Sequence, residues 1–485
     1  MKNILFILTL ITGFNSLAQD YKVQFKVKGT EDSTVYLIRY QADKAFYADT
    51  AKADKTGLAT FKGKWANKPG MYGFMTSDQK RFEVLLNKED VLIETDVRNF
   101  VGAMNVKKSE ENKKFYEYIK YIGSQRSKAG PIQAILNDST ATEEKKESAK
   151  KEKEAIDKNV LDFQNKLIKE NPNLLATKMI KAQQQIVVPD APKDENGVIT
   201  DSLFQRNYYI THYWDNFDLK EDGLNRMQVY YNALNQLFDK VLIKNQDSLV
   251  NYAFKFIDKL DPKSEIFKET VVYITSKYQN SKIMCLDGVF VRMVLKYYKG
   301  GLATWMTESK NKEIVERAEA MAPNMCSLYP HNVGLQDSLD NWPRLYDVKK
   351  DYTILIFWAA DCGHCKKEMP KLIERYNLWK KDGLNVEVYA VASDANQEWR
   401  DFIKKEKLEW INVGVPQKAY SDTQYATDLV RSGKSDYQSL NYHKTFDIYK
   451  TPTIFVLDKD KKIIGKNLET EGLDKFIRRL IKDKK

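Results

Sequence analysis

Two cysteines two residues apart, in Cys362-Gly363-His364-Cys365, are the side chains of this chain best placed to do chemistry. Thiolates attack disulfides, bind metals or pair with one another, and their surroundings select among these. Zinc needs four ligands at tetrahedral reach. The remaining cysteines, Cys285 and Cys326, are distant in sequence and no second Cys-x-x-Cys exists, so no metal is expected. A purely structural bridge across so short a ring removes little chain entropy and stabilises weakly. Reversible thiol-disulfide exchange is the reading that remains. Cys362 is then the attacking thiolate, and Cys365 resolves the mixed disulfide from inside.

The flanking residues predict how the pair is held. Ile354 to Trp358 is a continuous apolar run, the mark of a strand buried on both faces. Met369, Leu372, Ile373, Tyr376 and Trp379 then follow a helical period. Cys362 therefore falls at a helix start, where free N–H groups and the macrodipole favour a thiolate. His364 can favour that thiolate further, which stabilises the reduced form and makes the pair more oxidising. Cys365 needs a base. Glu368, three residues on and on the same helix face, is either that proton shuttle or an ordinary surface residue; position alone does not decide. Thr451-Pro452 precedes the strand Thr453 to Leu457. A proline there suits a tight turn, such as a cis bond makes, and leaves the Thr451 backbone free to pair with a bound peptide. Trp358, His364, Thr451 and Pro452 are the expected substrate-binding residues.

At 485 residues the chain is too long for one core. Lys2, the apolar run Ile4 to Phe14 and Ser16-Leu17-Ala18 form a secretory signal peptide, residues 1–18, with no cysteine for a lipid anchor. Residues 19–105 read as a β-sandwich: Val23, Phe25 and Val27 alternate with polar residues, Asp54 to Gly57 and Pro69-Gly70 are turns, and Phe82 to Leu86 with Val91 to Thr95 flank Asn87 to Asp90 as a hairpin. Residues 106–315 read as an α-helical domain, from stripes such as Phe115, Tyr118, Ile119 and Ile122, or Ile156, Val160, Phe163 and Leu167. Pro189, Pro192 and Asp194 to Gly197 mark a loop within it. Residues 316–485 read as a β/α unit ending in a hairpin around Asp458 to Lys461 and an amphipathic helix. The stretch from about 412 to 447 exceeds a simple connection and is expected to frame the active site.

The net charge of +11 is modest for this size, and lysine is dispersed. Nucleic acid binding is unsupported; at most a peripheral contact with an anionic membrane surface is expected. Four cysteines in an exported chain of this length do not form a disulfide framework. Cys285 and Cys326 are either buried small hydrophobes or a pair.

Trp358-Ala-Ala-Asp-Cys-Gly-His-Cys, Pro370 five residues after Cys365, and Thr451-Pro452 together resemble the thioredoxin superfamily. Cys-Gly-His-Cys is similar to the protein disulfide isomerase motif. Cys365-Lys-Lys-Glu368-Met-Pro370 is closer to the TlpA/ResA-like envelope thiol-disulfide reductases, and Ala322-Pro323-Asn324 resembles the start of their domain. The resemblance covers the last third of the chain. It implies a thioredoxin-like fold over 316–485, a functional Glu368, Pro452 as the cis-proline, and no cofactor. Ile356 stands where thioredoxin carries a buried Asp, which leaves Glu368 as the substitute. The front of the chain resembles the uncharacterised N-terminal parts of exported thioredoxin-like proteins of Gram-negative bacteria, which implies the periplasm. Partners are then envelope protein thiols and disulfides, with an upstream electron donor or acceptor of unknown identity. Two other functions compete. One is a scaffold whose front half binds clients. The other is a peroxidase, against which Ala359 counts, since those enzymes carry Thr three residues before the reactive cysteine.

Overall fold

The computed structural model describes residues 21–41, 44–63 and 68–483. The expected signal peptide lies outside these residues. The chain divides into two compact units, one running to Val241 with Ser264–Ile266, the other comprising Leu242–Lys263 and Phe267–Lys485. These divisions differ from the 105/106 and 315/316 boundaries expected above. An amphipathic helix announces that one face is buried, not which layer buries it. The early helices close on the N-terminal sheets and the later ones on the C-terminal sheet.

Unit 1 begins with strands β1 (Val23–Lys28), β2 (Thr34–Gln41), β3 (Lys44–Lys52), β4 (Leu58–Phe61), β5 (Gly70–Thr76), β6 (Arg81–Leu86), β7 (Val91–Asp96) and β8 (Asn105–Lys108). They form two four-stranded sheets, ordered β4-β1-β7-β8 and β3-β2-β5-β6. Alternation sends Val23, Phe25 and Val27 inward, where Phe25 meets Phe74 and Phe82 of the other sheet at 5.3 and 5.7 Å between ring centroids. The turn before β4 needs its glycine: Gly57 has φ +76, and a Cβ there would lie 2.4 Å from the Val27 carbonyl oxygen. The expected hairpin at Asn87 to Asp90 does not form. β6 pairs with β5, whereas β7 runs parallel to β1, so this turn carries the chain from one sheet to the other. Turn residues specify a reversal locally and say nothing of the next strand's partner.

Five helices follow: α1 (Glu110–Asn137), α2 (Glu143–Glu170), α3 (Leu175–Ala182), α4 (Phe204–His212) and α5 (Gln228–Gln236). The expected stripes pack α1 on α2, with Tyr121 stacked on Phe163 at 3.9 Å. Glu111 is buried and fastens three elements. Its carboxylate accepts from the Leu175 and Ala176 N–H groups at the start of α3, at 2.9 and 2.8 Å, and from Asn87 at 2.7 Å. Those bonds satisfy helix donors that would otherwise be orphaned. Burial nevertheless pushes its carboxyl up.

Unit 2 contains helices α6 (Gln246–Ile257), α7 (Glu265–Gln279, whose first two residues fall to unit 1), α8 (Asp287–Met293) and α9 (Glu308–Met321). Then come β9 (Gln336–Asp337), β10 (Tyr352–Trp358), α10 (Gly363–Lys381), β11 (Val386–Ala392), α11 (Gln397–Glu406) and β12 (Ile411–Gly414). Four short helices occupy the long connection: α12 (Gln417–Ser421), α13 (Thr423–Arg431), α14 (Tyr437–Leu440) and α15 (Tyr442–Thr445). β13 (Thr453–Leu457), β14 (Ile463–Lys466) and α16 (Thr470–Lys482) close the chain. The sheet order is β14-β13-β10-β11-β12-β9, with β10 parallel to β11 and antiparallel to β13. β10 is central and buried throughout, as its apolar run predicts. Ile354, Ile356 and Trp358 face one core, with Met369 and Leu372 of α10; Leu355 and Phe357 face the other. The hairpin between β13 and β14 is present as expected.

The later helices are fixed to this sheet by a disulfide and a buried ion pair. Cys285 and Cys326 are bonded, with Cα atoms 5.5 Å apart. Lys466 on β14 meets Asp287 on α8 at 2.5 Å and donates to the Asn324 carbonyl at 3.0 Å. Gln246 of α6 donates to the Cys326 carbonyl at 3.1 Å. Contact is close enough that a Cβ on Gly465 would sit 2.9 Å from the Met284 sulfur. Among the described residues no helix is long and apolar enough to cross a membrane.

Candidate active site

β10 delivers the chain to the upper edge of the sheet and stops at Trp358. Three residues turn, the Cys362 N–H donating to the Ala359 carbonyl at 3.3 Å, and Cys362 becomes the N-cap of α10. Its own carbonyl then accepts from the Lys366 N–H at 3.0 Å, which starts the helix. Cys362 is thus held by backbone bonds at the positive end of a 19-residue helix. One turn inside, Cys365 is 1% exposed, among Trp358, Met369 and Leu372. Both cysteines are free thiols, and Cys362 is partly exposed.

The opposite wall comes from β13. Phe357 on β10 is paired with Thr453 on β13, which brings the residues before β13 up beside the cysteines. The Thr451–Pro452 bond is cis. The Cys362 thiol donates toward the Thr451 carbonyl at 3.5 Å. Two stretches 89 residues apart in sequence are joined by this register.

The environments drive the two thiols apart. Partial burial works to raise Cys362, but hydrogen bonds from the Thr451 side chain, from Cys365 and from the His364 backbone outweigh it, and the thiol lies below its ordinary range. Burial pushes Cys365 up to about 11. At neutral pH Cys362 is the more readily ionised sulfur and Cys365 stays protonated.

Glu368 is partly buried on α10, one turn beyond Cys365. Its carboxylate accepts from Lys371 Nζ at 2.7 Å and from Thr470 Oγ1 on α16 at 2.8 Å. The Lys371 bond leads in holding its carboxyl below the usual range, against desolvation. Sequence reasoning missed Thr470, which lies 102 residues away with no local signal. It also missed Lys371, although the spacing of three on a helix marks such pairs. His364 is exposed in the first turn of α10. Thr451 and Pro452 are half-buried at the rim. Trp358 differs from expectation: it is 0% exposed, packed on Phe402 with ring centroids 5.1 Å apart, and offers no surface to a substrate. The apolar run that predicts a doubly buried strand includes Trp358, so its burial was already implied. Among the described residues no cluster of His, Cys, Asp and Glu is placed to hold a metal.

The long connection expected to frame the site carries β12 and α12 to α15. Asp436, the N-cap of α14, accepts from the Ser439 N–H at 2.8 Å and pairs with Arg344 at 3.1 Å and His331 at 2.8 Å. These bonds fasten the connection to the residues that precede β10.

Parts of this chain are similar to known proteins. Residues 329–466 match the AhpC/TSA family, and residues 21–115 match a family described as a domain of unknown function (DUF4369). The thiol-disulfide oxidoreductase ResA of Bacillus thuringiensis is 27% identical over 140 residues, 28% of this chain and 67% of that protein. ResA of a Bacillus cereus strain is 28% identical over 123 residues, 25% of this chain and 57% of that protein. A solved domain of a possible thiol-disulfide isomerase from Cytophaga hutchinsonii is 34% identical, covering 33% of this chain and 97% of that one, with a TM-score of 0.26. A thioredoxin-like protein from Bacteroides caccae is 15% identical, covers 61% of this chain and 99% of that one, and has a TM-score of 0.41. With the strand, the cysteine-capped helix and the cis-proline in place, residues 329–466 form a thioredoxin-like domain of the TlpA/ResA-like kind.

Proposed function

We propose that this protein is an exported thiol-disulfide oxidoreductase that exchanges disulfides with protein clients of the cell envelope through Cys362 and Cys365, running as a reductase. The observation that carries the reading is the asymmetry of the pair: a half-exposed Cys362 at a helix N-cap with its thiol lowered, and a sealed Cys365 raised to about 11. The Cys362 thiolate attacks one sulfur of a client disulfide. A Cys362–client bond forms and the other client sulfur leaves as a thiolate. Cys365 then gives up its proton and attacks the Cys362 sulfur, releasing the second client thiolate and closing the Cys362–Cys365 disulfide. Two electrons pass to the client, and an upstream dithiol donor restores the pair. Glu368 takes the Cys365 proton. Thr451, with its carbonyl at the rim, and Pro452 offer backbone to the client chain, and His364 favours the Cys362 thiolate from the same rim.

Export is read from the leader at 1–18 and is supported by the Cys285–Cys326 bond, since such bonds persist in oxidising compartments. We place the protein in the Gram-negative periplasm and read the two N-terminal sheets as a β-sandwich. The test is trapping with Cys365→Ser. Mixed disulfides on Cys362, identified by mass spectrometry, support the reading; their absence from cells that accumulate the variant sinks it.

A further inference from the structure

Unit 1 contains a half-open cleft of about 960 Å³, formed wholly by its own elements. That volume sits at the upper end for ligand sites, large for a small molecule. Its floor is apolar, made by Met71 on β5, Phe115 and Tyr118 on α1, and Met179 on α3. Arg81 on β6 and Arg126 on α1 stand at the lining, and neither guanidinium has a hydrogen bond or ion pair among the described residues. One carboxylate, Glu83, faces them, accepting from the Tyr40 hydroxyl at 3.4 Å. The balance at the lining is therefore positive.

Gln185 and Ile186 continue this lining into a segment of unusual character. Residues 185–188, Gln-Ile-Val-Val, lie in neither helix, strand nor turn. Gln185 and Val187 point outward while Ile186 and Val188 are half-buried, the two-residue alternation of a strand. Val187 is 85% exposed. The segment is anchored at both ends: Asn216 donates to the Gln184 carbonyl at 3.1 Å, and Gln205 to the Pro189 carbonyl at 3.4 Å. Between those anchors no backbone N–H or C=O of residues 185–188 is hydrogen-bonded within the described residues. A half-exposed β-branched run whose backbone donors and acceptors are unpaired within the described residues is a template for strand addition.

We propose that Gln185–Val188 is a docking edge for an extended, apolar segment of a polypeptide client, whose side chains enter the adjoining cleft and whose acidic residue meets Arg81 and Arg126. Only a polypeptide supplies alternating donors and acceptors at strand spacing, which is why the occupant is a chain and not a metabolite. The inference builds on the reading of this protein as an oxidoreductase acting on proteins, and it gives unit 1 the task of recruiting them.

The test uses the full chain and a fluorescein-labelled, cysteine-free peptide of alternating valine and serine with one phenylalanine and one aspartate. Fluorescence anisotropy should show saturable one-to-one binding. Val187→Pro, which removes one N–H from a position with no intramolecular bond, should weaken it about fivefold, the value of one hydrogen bond. Arg126→Glu, a change at an exposed unpaired side chain, should weaken it by about threefold or more, and it covers the case in which Val187→Pro disturbs the loop. In turnover, Val187→Pro should raise KM for a disulfide-bonded polypeptide while kcat, and turnover of a small disulfide, stay unchanged. No saturable binding, or equal binding by the wild type and both variants, overturns the docking edge. Because the probe has no sulfur, Cys362→Ser should bind it normally. A failed oxidoreductase reading would therefore show in small-disulfide turnover, and a failed docking edge in anisotropy alone.

Discussion

Unit 2 carries two pairs of cysteines under one solvent and one fold, and they are put to opposite uses. Cys285 and Cys326 are separated by 41 residues and are bonded, joining the helices after Leu242 to the sheet beside the buried Lys466–Asp287 pair. Cys362 and Cys365 enclose two residues and are free, the first at a helix N-cap and partly open. Loop length decides how much a bond constrains the unfolded chain: a long loop stabilises, a four-residue ring hardly does. Electrostatics decides how fast a sulfur reacts: the Thr451 side chain and the Cys365 and His364 backbone favour the Cys362 thiolate, whereas Cys365 is buried among apolar side chains. A bond that stabilises little can open and close in each cycle without unfolding its host.

The contrast breaks most visibly by substitution. Cys362→Ser should lower turnover of a small disulfide at least about a thousandfold, whereas Cys285→Ala/Cys326→Ala should leave it within about twofold. Equal losses in the two variants would mean that both pairs take part in exchange. The same double variant should lose about 4 kcal/mol in denaturant unfolding, from the loop it opens, while Cys365→Ser loses far less. His364→Pro should then sharpen the reactive pair alone. It should make the pair more reducing, by on the order of 30 mV or about tenfold in the equilibrium with glutathione; an unchanged equilibrium would remove His364 from the account.

The smallest effect concerns Glu368. Lys371 holds its carboxyl below the ordinary range, so Lys371→Met should let it rise. A base is lost as pH falls through its own pKa, so the acid limb of the resolving step should move to higher pH. At neutral pH the stronger base should speed that step by about threefold. If the acid limb stays where it was, Glu368 is not the acceptor of the Cys365 proton.

What the residues disclosed in advance follows from how local each cause is. The run Ile354 to Trp358 and the strand Thr453 to Leu457 were legible because burial on both faces leaves a continuous apolar signature. Cys362 at a helix start was legible because the helical period begins just after it. The partner of β7 was not, because Asn87 to Asp90 turns the chain identically for a hairpin or a crossing between sheets. The division near Val241 was hidden for a related reason, since helix stripes do not name the layer they cover. Thr470 beside Glu368, and the cleft in unit 1 with lining drawn from Tyr40 to Gln236, are products of tertiary folding. No local pattern gathers such scattered residues. The pairing of Cys285 with Cys326 likewise rests on two remote positions meeting at 5.5 Å.

The central claim is that Cys362 is the sulfur that attacks. It is tested most directly by brief iodoacetamide treatment of the reduced, full chain at pH 7, followed by peptide mass spectrometry. With burial pushing the Cys365 thiol up to about 11, it stays protonated at that pH. Carboxamidomethylation of Cys362, with Cys365 unlabelled until strongly alkaline pH, is the result expected. Labelling of Cys365 ahead of Cys362 would contradict the account.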